Sequence, residues 1–167
     1  MKHLSSIILI ACMALATQNA AAGVHKAPDG TIPFETLVEM LATGAHWSEE
    51  ALTDIGLDKL YSESYEEEFG VCSLFVYGKN ATAQVSENWD VTLTPTGDHA
   101  YAIDVALATD NGTDLYFKEK ADFDEFMGYA KQSSYYSSDE YYDAIGCSVI
   151  MGVEYVDGWY VISFHGD

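Results

Sequence analysis

The chain contains no arginine. Its seven basic residues are all lysines (Lys2, Lys26, Lys59, Lys79, Lys118, Lys120, Lys131), set against 27 aspartates and glutamates, for a formal net charge of −20. Without guanidinium groups there is no bidentate clamp for phosphate, and no Walker-type lysine loop replaces one. A surface of this charge repels nucleic-acid backbones and anionic headgroups. Nucleic acid is therefore excluded as a partner, and no cofactor is expected. Also lacking are a Gly-x-Ser-x-Gly elbow, a Cys-x-x-Cys pair and a twelve-residue calcium loop. Long hydrophobic runs are missing too: the longest, Ile7 to Ala16, has about ten residues, too few to span a membrane.

What is present describes an exported, well-packed domain. Hydrophobic residues make up 49% and aromatics 13%, well above the composition of chains that cannot bury a core. Residues 1–22 read as a signal peptide: Lys2 and His3 lead into the apolar run, and Ala20-Ala21-Ala22 supplies small residues for cleavage before Gly23. A competing lipoprotein reading centres on Leu9-Ile10-Ala11-Cys12, but the apolar residues continue past Cys12. The signal implies a periplasmic or extracellular protein and fits bacterial export. Cleavage removes Lys2, leaving six lysines and a net charge of −21. It also leaves two cysteines, Cys72 and Cys147, and an even count in an oxidising compartment predicts a disulfide between them. Two buried thiols are the alternative.

Residues 23–32 read as a flexible leader and 33–167 as one α+β domain. Phe34, Leu37, Val38 and Leu41 form a helical stripe after Pro33, with Gly44 as a stop. Ser48 before Glu49 and Glu50 marks a second short helix over 49–55. Strand signals follow at 71–77, 81–85, 91–94, 101–107 and 115–117, with Asp110-Asn111-Gly112 as a hairpin turn. A helix is expected over 121–131, buried through Phe123, Phe126, Met127 and Ala130. Ile145 to Tyr155 and Trp159 to Phe164 close the chain as a hairpin around Val156-Asp157-Gly158. The helices do not alternate with the strands, so the expected architecture is an antiparallel sheet of five to seven strands with two or three helices on one face. Each half also runs helix, acidic tyrosine-containing segment, Cys-Ser strand, an echo that would suit duplicated α–β units.

Several segments are candidates for function. Ser133 to Asp143 is almost wholly Tyr, Ser and acid, and contains Tyr135, Tyr136, Asp139, Glu140, Tyr141 and Tyr142. Tyr61 and Tyr65 sit in a similar stretch. Such segments make binding loops, because tyrosine offers large contact area at low entropic cost and carboxylates attract a basic partner. The same tyrosines would equally serve to cover the ends of the sheet. The first expectation is thus an acidic binding protein, an inhibitor or accessory factor for a basic envelope or secreted protein. A second is a carbohydrate-binding module using exposed aromatics, among them Trp47, Trp89 and Tyr135. A third is a small hydrolase using paired carboxylates. The histidines stand singly, as catalytic bases seldom do. His25 would be third in a chain starting at Gly23, where an amine, two amides and an imidazole suit Cu(II) or Ni(II).

Overall fold

The computed structural model describes residues 27–43, 49–68, 70–107, 112–136, 141–144 and 147–166. The signal segment, the Gly23-Val24-His25 motif, Trp47, Asp139 and Glu140 lie outside the described residues. Among the described residues three helices, α1 (Phe34–Thr43), α2 (Glu49–Asp54) and α3 (Lys120–Ala130), accompany nine strands. These are β1 (Asp58–Glu67), β2 (Gly70–Lys79), β3 (Ala81–Val85), β4 (Val91–Pro95), β5 (Tyr101–Leu107), β6 (Gly112–Phe117), β7 (Tyr141–Ala144), β8 (Cys147–Val156) and β9 (Trp159–Gly166). Seven form one antiparallel sheet in the order β1-β2-β5-β6-β9-β8-β7, and β3-β4 form a separate ribbon.

All three helices pack on one face of the sheet. Phe34, Leu37, Val38 and Leu41 of α1 join Leu52 of α2 and Phe126, Met127 and Ala130 of α3 in one core with Tyr77, Ile103, Leu115, Ile162 and Phe164 from the strands. Helix α2 ends as its sequence directs. The Gly56 amide donates to Thr53 O (2.9 Å) and the Leu57 amide to Leu52 O (3.2 Å), with Gly56 at φ 87 and Leu52 and Leu57 both buried. That left-handed stop is open to glycine without steric cost. The start of α1 is capped from a distance: the Phe34 amide donates to the Tyr129 hydroxyl (3.2 Å), which in turn donates to Glu35.

The ribbon covers the other face. Ala81, Ala100, Trp159 and Val161 form a second core there, with Leu60, Leu93 and Tyr116 packed against it. The ribbon interrupts the path from β2 to β5 as an excursion over residues 80–100, whereas β8 passes to β9 through only Asp157 and Gly158. Those two residues have φ 51 and 81, the double left-handed pair of a tight hairpin turn. Apart from the ribbon, the sheet is symmetric about β6. The trio β1, β2, β5 lies on one side and β7, β8, β9 on the other, each following a helix.

Cys72-Ser73 and Cys147-Ser148 accordingly occupy matching strands, each second from an edge. The same placement corrects the disulfide expectation. Three strands separate β2 from β8, so at the usual strand spacing their backbones lie roughly 19 Å apart, against the ~7 Å limit for a disulfide. Cys72 is a free, half-buried thiol. Among the described residues no helix is long and apolar enough to cross a membrane.

Candidate functional site

Strand β1 was not expected from the sequence, and it builds one wall of the most distinctive cleft. Tyr61, Glu63 and Tyr65 alternate along it and pair with Val76, Leu74 and Cys72, on the face opposite the helices. The far wall is the turn of the ribbon, whose five residues between Val85 and Val91 are organised by Ser86. The Ser86 amide donates to Asp90 O (3.0 Å), and its hydroxyl oxygen accepts the amides of Asn88 and Asp90 (both 3.1 Å). The Trp89 amide donates to Ser86 O (3.0 Å).

This network holds Trp89 at φ 65, a left-handed backbone that bulky residues rarely adopt and that costs on the order of 1–3 kcal/mol. The indole meets Tyr65 edge-on, with centroids 4.9 Å apart and planes at 74°. Between the walls lies a cleft of about 670 Å³ lined by Tyr61, Tyr65, Trp89, Glu63 and Glu87. The Tyr61 hydroxyl donates to Glu63, which raises the phenol's pKa above its ordinary value.

Two further recesses flank the helices. One, of about 590 Å³, contains His99 and Asp122. The His99 Nδ1 lies 2.9 Å from an Asp122 carboxylate oxygen, which holds the imidazole pKa above its usual range. The other, of about 650 Å³, runs between α3 and β8. Among the described residues no three His, Cys, Asp or Glu side chains are grouped to hold a metal ion.

An acidic pair, Asp104 buried and Asp114 half-buried, lies on the sheet face opposite the helices. Asp104 and Asp114 stand directly opposite each other on β5 and β6. The Tyr116 hydroxyl donates to Asp104 Oδ2 (2.8 Å), and the Asp114 amide donates to Asp104 Oδ1 (3.2 Å). Burial, reinforced by the Asp114 charge, pushes the Asp104 carboxyl up to about 7. Neither carboxylate lines any of the three recesses.

The sequence-selected tyrosines separate by position. Tyr61 and Tyr65 converge with Trp89 in the cleft. Tyr135 and Tyr136 are half-buried and pack against the main core, with the Lys131 ammonium 6.0 Å from the Tyr136 ring centre. Tyr141 and Tyr142 begin β7 and pair in the backbone with Ile150 and Val149. Glu63, Glu87 and the ribbon turn escaped the sequence reading. The available signal was the Tyr-x-Glu-x-Tyr alternation of 61–65, which marks residues sharing one strand face. No protein-family model, curated protein or solved structure matches the chain.

Proposed function

We propose that the protein is an exported acidic binding protein that receives a cationic side chain of a basic protein partner in the cleft between β1 and the ribbon turn. The observation that carries this reading is the meeting of Tyr61, Tyr65 and Trp89 with Glu63 and Glu87 in one cleft. Aromatic faces attract ammonium and guanidinium groups, and carboxylates beside them add direct charge pairing. The net charge of −20 steers such a partner toward the surface. Inhibiting or assisting a basic envelope or secreted protein fits this chemistry.

Capped arginine amide and a cationic model protein are the probes, read by tryptophan fluorescence. Both should perturb the emission, lose affinity at about 0.5 M salt, and lose it about 3- to 30-fold in Glu63→Gln or Trp89→Asn. An unchanged response in Trp89→Asn would place binding elsewhere. A glycan is the second reading, because the pair of exposed Tyr65 and half-buried Trp89 also suits stacking on a sugar face. Salt-insensitive binding of oligosaccharides, with no response to arginine amide, would favour it.

A further inference from the structure

The three recesses differ in the charge of their walls. Lys79 and His99 stand among the acids of the recess at Asp122, and Lys131 stands in the one beside α3. The cleft between β1 and the ribbon turn has two carboxylates, Glu63 and Glu87, and no basic residue among the described residues that line it. Lys59, the one lysine of β1, is ion-paired with Glu49 of α2. A cation entering this cleft therefore meets no like charge on its described walls.

The shape of the aromatic wall narrows the choice of cation. The Tyr65 and Trp89 rings stand at 74° with centroids 4.9 Å apart, and both line the cleft. Two nearly perpendicular rings make a corner. A flat guanidinium stacks on one face of such a corner and turns its edge to the other. A round cation touches both faces at once and is attracted by each. Hydrogen bonding points the same way. Tyr61 already donates to Glu63, so that carboxylate lacks a free pair of oxygens for the two-pronged grip a guanidinium makes. The Ser86 hydroxyl is taken up by the Asp90 carboxylate and by the amides of Asn88 and Asp90. Ring faces and negative charge remain, and a cation without N–H groups uses both in full. The Ser86 turn fixes the backbone of Trp89, so the corner stands before a ligand arrives.

We propose, resting on the cation reading of this cleft, that it selects methylated ammonium groups, with a trimethylammonium head seated between Tyr65 and Trp89 and the Glu63 and Glu87 carboxylates beside it. A trimethylated lysine of a protein partner carries such a head, and so does free choline.

The probes are capped lysine, capped trimethyl-lysine, capped arginine and choline, each titrated into the full chain by calorimetry. Trimethyl-lysine should bind about 3- to 30-fold more tightly than lysine or arginine. The neutral carbon analogue of choline, with a tert-butyl head, keeps the shape without the charge and should bind about tenfold more weakly than choline. Tyr65→Leu keeps an apolar side chain but loses the ring face, and should bring trimethyl-lysine down to the affinity of lysine. A lysine-rich peptide with one trimethylated lysine that binds more tightly than choline assigns the head to a protein partner, and equal binding assigns it to a small molecule; either upholds the selectivity. Lysine or arginine binding as tightly as trimethyl-lysine overturns the proposal and leaves the cleft a general cation site. The neutral analogue binding as tightly as choline overturns it in favour of a plain apolar pocket. If none of the cations binds, the cation reading of the cleft falls with it.

Discussion

Asp104 is a carboxylate that folding takes out of water. It is 9% exposed, faces Asp114 across the ladder, and is held by the Tyr116 hydroxyl. Its folded pKa of about 7 lies above the ordinary aspartate value of 3.8, so the native state holds this proton more tightly than the unfolded chain does. The stability contributed is complete below about pH 4 and is lost as pH rises to about 7. Replacing Asp104 by Asn keeps an oxygen acceptor for Tyr116 and removes the buried charge. Asp104→Asn should flatten the stability profile between those limits and raise stability at pH 8 by up to about 4 kcal/mol. Urea unfolding of both proteins across pH 4–8 measures this, and parallel profiles would show that Asp104 is not the controlling group. Trp89 is the other outlier. Trp89→Asn places a residue tolerant of left-handed backbone at φ 65, so thermal stability should stay within about 1 kcal/mol of the parent. Cationic ligands should then lose affinity without loss of fold.

At the scale of elements, the sequence spoke clearly wherever apolar residues recur at a fixed period. The stripe Phe34, Leu37, Val38, Leu41 became α1, and the alternation Tyr101, Ile103, Val105 became the core face of β5. The sequence was nearly silent at β1, because both faces of Tyr61 to Glu66 are polar and its pairing comes from β2 rather than from local propensity. Half of the cleft was therefore legible, as Tyr61 and Tyr65, but not the strand that aligns them or the ribbon that completes the wall. The disulfide expectation failed for a related reason: cysteine parity carries no information about strand order. Turn chemistry was read more securely. The Asp157-Gly158 turn is left-handed at both residues, and Lys118 Nζ donates to Gly158 O (2.9 Å) while lying 5.8 Å from the Trp159 ring centre. A Cβ at Gly158 would lie 3.1 Å from that ammonium. Gly158→Ala should cost about 1–2 kcal/mol, seen as a lower denaturant midpoint with an unchanged slope.

For the whole molecule, 27 acids and seven lysines make self-repulsion a general tax on the compact state. Among the described residues the ion pairs, such as Lys120–Asp124 at 2.6 Å, are largely exposed and offset little of it. Thermal stability should therefore rise as salt increases from about 10 mM to 0.5 M. A midpoint that falls with salt would mean that the pairs outweigh the repulsion. The near-symmetry about β6 leaves the β3–β4 ribbon as the main feature that distinguishes the two halves.

The ribbon and Asp104 are joined through one side chain: Tyr116 packs against the second core that holds Ala81 and Leu93 of the ribbon, and its hydroxyl donates to Asp104. The tip of the same ribbon carries Trp89. Cation binding at the tip and the proton on Asp104 are therefore linked wherever the ribbon shifts on its core. Near neutrality that linkage is read as a binding enthalpy that varies with the ionisation heat of the buffer, and in Asp104→Asn the dependence should vanish.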